Sequence, residues 1–230
     1  MSMIVVGDLH GDLEITKYFL KEKNKQVCFL MDVLDSFTFS REDQFEALQL
    51  ILYAIASRNN IVGVLANHEL SYANPYCYRA SGFSNGFWTR LKYSSLIRQI
   101  EQLPIVIEAA GFLITHAGIS KTWLPDADDN YWTADEIIDY IEYIDLDTIA
   151  QVGVARGGTA RCGGPLWCDY WSEFVPVPGI KQVMGHSAYR PEGERKGIVV
   201  DGHGNWNIDC LQTTREVLEI SDNHAAIVKF

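Results

Sequence analysis

One pattern recurs five times along the chain and restricts its fold more than any other feature. A short apolar run of strand length ends in a loop of Gly, Asp, Asn or His, and an amphipathic stretch follows. Ile4-Val5-Val6 leads into Gly7-Asp8-Leu9-His10-Gly11-Asp12, and Val27-Cys28-Phe29-Leu30 leads into Met31-Asp32-Val33-Leu34-Asp35-Ser36. Ile61 to Leu65 leads into Ala66-Asn67-His68-Glu69, Phe112 to Thr115 into His116-Ala117-Gly118, and Val183-Met184 into Gly185-His186-Ser187. Strands that alternate with helices predict an α/β fold. In open α/β sheets, ligands bind in the crevice beyond the carboxyl ends of the strands, so the five polar loops are expected to converge there.

Helical spacing covers Leu13 to Lys23 and Arg41 to Ser57, the latter with Phe45, Leu48, Leu52 and Ile55 on one stripe and Ser40 as its N-cap. Phe83 to Glu101 and Thr133 to Ile144 also read as helices, the second opened by a Thr133 and Glu136 capping box. Val154 to Pro165 is Gly-rich and reads as an irregular loop; Ile198 to Val200, Val217 to Ile220 and Ala225 to Phe230 read as closing strands. A chain of 230 residues buries roughly 70% of its unfolded surface without disulfide staples. The expectation is a single domain over 1–230 with helical insertions at about 70–104 and 119–165.

With 47% hydrophobic and 21% charged residues, the composition excludes a disordered, collagen-like or coiled-coil chain. A formal charge of -11 argues against a sequence-independent grip on duplex nucleic acid. The five cysteines are odd in number and form no C-x-x-C pair, which fits a reducing, cytoplasmic setting. No basic n-region or long apolar h-region precedes the first loop, so no secretory signal is expected. The apolar runs fall far short of the roughly 20 residues that cross a bilayer, and no membrane partner is expected.

Four of the six histidines (His10, His68, His116, His186) fall in the five loops, together with Asp8, Asp32, Asp35 and Asn67. Taken singly, an Asp or Asn after a strand is ordinarily a turn former or helix cap. Gly7 and Gly11 suit turns and Asp12 suits a cap, while His203 and His224 lie outside these loops as structural or surface residues. Taken together, carboxylates, imidazoles and one amide suit borderline divalent cations such as Mn, Fe, Zn or Co and exclude an all-oxygen calcium site. Two such ions would share a carboxylate and lie about 3.5 to 4 Å apart, a geometry that clamps the attacking and leaving oxygens of a phosphoryl displacement.

The ordered blocks G-D-x-H-G, D-x-x-D, N-H-E, H-A-G and G-H-S, spanning Gly7 to Ser187, resemble those of the calcineurin-like metallophosphoesterases. Within that superfamily they are most similar to the PPP-type protein phosphatases, especially the bacteriophage lambda and Shewanella-like phosphatases. The resemblance implies a central β-sandwich flanked by helices, with a dinuclear metal site at the carboxyl ends of the strands. It also implies that Asp8 and His10 hold the first metal, that Asn67, His116 and His186 hold the second, and that Asp32 bridges them. Manganese heads the implied metals, with Fe, Zn, Co and Ni as alternatives. The implied reaction is hydrolysis of phosphomonoesters, on phosphoprotein or a small molecule, by direct attack of a metal-bridging hydroxide. His68 is then the proton donor to the leaving oxygen, with Asp35 holding and charging its imidazole.

Three positions depart from that pattern: Met31 and Ala66 stand where the family has Gly, and Ser36 stands where it has Arg. Met31 and Ala66 fit if the backbone keeps a negative φ there. Ser36 removes a bidentate phosphate-binding guanidinium, which a hydroxyl cannot reproduce in charge or fork geometry. A second phosphate-binding arginine of the phage-like members is also missing, since Cys168 and Asp169 follow Trp167. Arg156 and Arg161 are the replacement candidates for binding substrate, with Arg190 a further one. Tyr72, Tyr76, Tyr78, Phe83, Phe87 and Trp88 form an aromatic stretch that reads as core or as a lid able to stack on a nucleotide. Two alternatives therefore stand beside the phosphatase: a phosphodiesterase or dinucleoside polyphosphate hydrolase, and a noncatalytic scaffold on the same fold.

Overall fold

Residues 2–125, 131–188, 193 and 197–230 are described in a computed structural model of the chain. The first three apolar runs form β1 (Met3–Val6), β2 (Gln26–Phe29) and β3 (Ile61–Gly63), paired in parallel. Parallel pairing needs long connections, and these contain α1 (Leu13–Phe19) and α2 (Arg41–Ser57). The chain continues through α3 (Asn67–Ala73), α4 (Asn85–Leu91) and α5 (Leu96–Glu101) to β4 (Val106–Ala109) and β5 (Phe112–Thr115). Then come α6 (Ala134–Tyr143), α7 (Leu146–Ile149), β6 (Gln182–Met184), β7 (Val199–Val200) and β8 (Trp206–Asn207). After α8 (Leu211–Thr214), β9 (Glu216–Ser221) and β10 (His224–Lys229) complete the chain. One sheet has the order β10-β9-β1-β2-β3 and the other β4-β5-β6-β8-β7. Each is a parallel trio, β1-β2-β3 or β5-β6-β8, extended by antiparallel strands.

Strand alternation explains why the two sheets stack. Met3, Val5, Cys28, Leu218 and Ile220 from one sheet pack with Phe112, Ile114 and Val183 from the other. The intervening residues Val6, Val27, Phe29, Leu113 and Val217 belong to the second cluster, beneath the helices. A strand buried on both faces reads as an unbroken apolar run, which is what Ile4 to Val6 and Val27 to Leu30 display. Each such Val, Leu, Ile or Phe side chain contributes about 1.5–3 kcal/mol by leaving water.

The helices differ from the sequence reading at their ends and breaks. In α2, Ser40 accepts the amide of Asp43 at 3.1 Å as the expected N-cap, but the buried stripe is centred on Ala47, Leu48, Ile51 and Leu52, with Phe45 and Ile55 at its margin. Helix α1 stops at Phe19 instead of reaching Lys23. The single helix expected over Phe83 to Glu101 is two, α4 and α5, because Ser94 accepts the amide of Leu96 and bonds back to the carbonyl of Leu91. Thr133 and Glu136 form the expected capping box of α6. The Gly-rich loop contains a 3-10 turn at Val154–Arg156, closed by Gly157 at φ 84°. Among the described residues, no helix is long and apolar enough to cross a membrane.

Candidate metal centre

All six parallel strands point their carboxyl ends at one region, and the loops there are held in uncommon backbone conformations. Of the nine non-glycine residues with positive φ among the described residues, five (His10, Met31, Asp32, Asp35 and His186) sit in these loops. Such conformations cost of order 1–3 kcal/mol each and persist where surrounding structure over-determines them. The over-determination is visible: Leu9 donates its amide to the Met31 carbonyl at 3.1 Å and His10 to the Asp32 carbonyl at 2.7 Å. Glu69 accepts the amides of Asp32 at 3.1 Å and Val33 at 2.9 Å, and Gln212 donates to the carbonyls of Asp8 and Leu9. Met31 therefore has φ 65°, against the expected negative value, because its carbonyl must turn toward the first loop; Ala66 keeps φ -113° as the N-cap of α3.

The side chains converge. His10 Nδ1 lies 3.7 Å and His68 Nε2 lies 3.8 Å from opposite oxygens of the Asp32 carboxylate. The His68 Nδ1 meets Asp35 at 3.0 Å, and the other Asp35 oxygen accepts the hydroxyl of Tyr72. His116 Nδ1 faces the Leu30 carbonyl at 3.1 Å, and its Nε2 lies 3.2 Å from His186 Nδ1. His186 donates its amide to Asp8 at 3.0 Å, and Trp167 stands edge-on to its ring. Ligand atoms of Asp8, Asp32 and His116 lie within 4.8 Å of one another, as do those of Asp8, His10 and Asp209.

The electrostatics call for cations. Burial, with Asp209 and Asp32 nearby, raises the Asp8 pKa well above the usual carboxylate range. Burial also pushes Glu69 up to about 7. Asp32 is held low despite its burial, because His68, His10 and His116 surround it. Burial lowers His116 to about 4 and His186 well below the ordinary imidazole value, so both are neutral, the form that ligates metal. Burial alone would lower His68 too, but Asp32 and the hydrogen-bonded Asp35 hold it at about 9. Among the described residues, six buried side-chain polar atoms have no partner, and four of them are Asp8 Oδ1, Asp32 Oδ1, Asn67 Oδ1 and His186 Nε2. Buried polar atoms are normally satisfied, and buried carboxylates are paired or coordinate metals. The donor set therefore fits divalent cations of the borderline class.

Above these groups lies a cavity of about 410 Å³ lined by His10, Asp32, Asn67, His68, Arg156, Trp167, Asp169, His186 and Asp209. A neighbouring cavity of about 590 Å³ begins at His10 and His68 and extends past Asp35, Phe37 and Phe39 to Arg215. Asp8 and His116 lie fully buried beneath them. Arg156 is fixed by Asp169 at 2.9 Å, the His186 carbonyl and the Ser187 hydroxyl. Arg161 is exposed and lines neither cavity, and Arg190 falls outside the described residues. Ser36 accepts the amides of Thr38 and Phe39, so its hydroxyl shapes a turn in the position of the missing guanidinium. The aromatic stretch is mostly core: Tyr72 and Phe87 are buried, Phe83 stacks on Tyr72, and only Tyr76 is largely exposed. His203 and His224 are exposed and far from the loops in sequence, as expected.

Sequence reasoning missed Asp209. It follows β8, the sixth parallel strand, whose apolar signal is broken by Asn205 and Asn207 and so does not stand out as a run. Tyr72 and Glu69 were visible only as an aromatic and as part of N-H-E; their roles as partners of Asp35 and of the second loop depend on α3 lying against the loop that follows β2.

The family model for calcineurin-like phosphoesterases matches residues 1–220. Among solved structures, the chain is similar to a protein serine/threonine phosphatase from Saccharomyces cerevisiae, with TM-score 0.63 and 16% identity over 100% of this chain and 79% of that one. It is also similar to a cold-active protein-tyrosine phosphatase of a psychrophilic Shewanella species, with TM-score 0.59 and 16% identity over 99% and 80%. At such identities the likeness is one of fold. No match was found among curated protein sequences.

Proposed function

The chain belongs to the calcineurin-like phosphoesterase family, and from that premise we propose that it is a metal-dependent phosphatase that hydrolyses phosphomonoesters, of phosphoprotein or small molecules, with His68 as general acid. Asp8 and His10 would hold one divalent cation, Asn67, His116 and His186 the other, and Asp32 both. Such cations, manganese foremost, polarise phosphoryl oxygens and lower the pKa of bound water, so no covalent phosphoenzyme is needed. The reading is supported above all by one juxtaposition: an imidazole hydrogen-bonded to a buried carboxylate at 3.0 Å stands beside a cluster of partnerless ligand atoms.

The protein groups then have distinct tasks. Asp35 and Tyr72 fix the His68 ring, leaving Nε2–H directed at the cavity to protonate the departing oxygen. The N–H bond breaks as the P–O bond breaks, and neutral imidazole remains, its Nδ1–H on Asp35. Arg156, immobilised by Asp169, would offer its positive charge to the non-bridging oxygens of the phosphoryl group.

A specific observation favours a second reading, diester or dinucleoside polyphosphate hydrolysis. Ser36 leaves the leaving-group side of His68 without the guanidinium that would grip a dianionic terminal phosphate, and the 590 Å³ cavity extends from that side. Turnover of p-nitrophenyl phosphate, bis-p-nitrophenyl phosphate, phosphopeptides and diadenosine polyphosphates with Mn²⁺ separates the two. Monoesters turned over faster, with activity lost in Asp32→Asn, are expected; faster diester turnover would reverse the order, and a metal-free inert protein would mark a scaffold.

A further inference from the structure

The sixth parallel strand supplies a group that none of the five sequence loops accounts for. Asp8 stands two residues beyond β1, and His186 two beyond β6; Asp209 stands two beyond β8, at the same station on the rim. Its carboxylate lies within 4.8 Å of ligand atoms of Asp8 and His10, and it lines the cavity above them. Among the described residues, no lysine or arginine forms an ion pair with Asp209, although the residue is only 7% exposed. Close by, Asp8 Oδ1 is fully buried and has no partner. Against these two buried carboxylates stand the His186 amide bonded to Asp8, the Ala188 amide bonded to Asp209, the His10 imidazole and the charge of Arg156; with Asp8 Oδ1 still partnerless, burying both is costly unless a cation lies among them.

We infer that Asp209 is a ligand of the first cation, completing with Asp8, His10 and the shared Asp32 a site of three carboxylates and one imidazole. This rests on the proposed metal-dependent reading and deepens it, because the two sites then differ in chemistry. The first is oxygen-rich and suits harder ions such as Mn²⁺; the second, with His116, His186 and the Asn67 amide, is imidazole-rich and suits Zn²⁺ or Co²⁺ as well.

Chelator-stripped full-length wild type, Asp209→Asn and Asp209→His are titrated with Mn²⁺, following occupancy by electron paramagnetic resonance, and Zn²⁺ or Co²⁺ affinity is then read from competition with the bound Mn²⁺. Wild type should take up two ions. In Asp209→Asn one site should weaken by more than about 100-fold, beyond the 10- to 100-fold typical of a group that only orients a ligand, while the other keeps its affinity and so reports an intact fold. Asp209→His should regain tight binding at the weakened site for Zn²⁺ or Co²⁺ more than for Mn²⁺. Two sites of wild-type affinity in Asp209→Asn, a loss of 100-fold or less, or no recovery in Asp209→His overturns the ligand role alone. A wild-type chain that takes up no Mn²⁺ overturns both the inference and the reading beneath it.

Discussion

The state of His68 turns on one hydrogen bond, from its Nδ1 to Asp35, with Nε2 left 3.8 Å from Asp32. Nδ1 is held by Asp35, whose second oxygen is occupied by Tyr72, so the carboxylate cannot swing away. Such a buried ion–imidazole pair keeps the protonated form available near neutral pH. His68→Asn should therefore leave metal content at the wild-type level and slow hydrolysis of glycerol phosphate by roughly 10²- to 10⁴-fold. Loss on p-nitrophenyl phosphate, whose leaving group needs no proton, should be smaller; equal losses would remove His68 from the acid role. Most of this centre could be read from residue types and order, because Asp8, His10, Asp32, Asn67, His68, His116 and His186 each follow an apolar run that announces its strand. Asp209 could not, because Asn205 and Asn207 break the run before it, and Asn205 does so for a structural reason: its side chain accepts the amide of Gln182 and donates to Asp201. The φ of Met31 was likewise hidden, since it is imposed by hydrogen bonds between loops far apart in the chain.

Helix α3 is the element on which the site turns. Its first two residues are Asn67 and His68, its third is Glu69, and Tyr72 follows one turn later, so one short helix carries the proposed ligand and the proposed acid together with a clamp on the second loop and a brace on Asp35. A seven-residue helix is too short to persist by itself. It is held by packing of Leu70 and Tyr72 in the core and by Glu69 bonding across to β2's loop. Glu69→Ala leaves the amides of Asp32 and Val33 buried without partners and should cost about 1–3 kcal/mol per lost bond. Urea denaturation of the metal-free protein measures this; a change below about 0.5 kcal/mol would show that water replaces the carboxylate at no cost. The element boundaries were the least legible part of the sequence. The break between α4 and α5 arises from one serine, Ser94, whose hydroxyl bonds to the Leu91 carbonyl and accepts the Leu96 amide, a competition with the helix that apolar spacing does not report.

At the scale of the molecule, two sheets meet at their carboxyl ends and gather acidic groups that repel one another in the absence of a counter-charge. The chain as a whole is also acidic, at -11. Cations bound there should stabilise the fold by linkage, about 2.7 kcal/mol for a site at a concentration 100 times its Kd. For a protein of this size each kcal/mol moves Tm by about 2–4 °C. Removing metal with a chelator should therefore lower Tm by on the order of 5 °C or more, and added Mn²⁺ should restore it; a Tm indifferent to both would show that the buried carboxylates are neutralised by protons.

Side chains from separate strands are proposed to gather two cations around one shared carboxylate. Anomalous diffraction from crystals grown with Mn²⁺ tests it most directly. Two peaks about 3.5–4 Å apart are predicted, with Asp32 touching both and Asp8 and His186 each touching one. A single peak away from Asp32, or none between the β1 and β6 loops, would contradict the account.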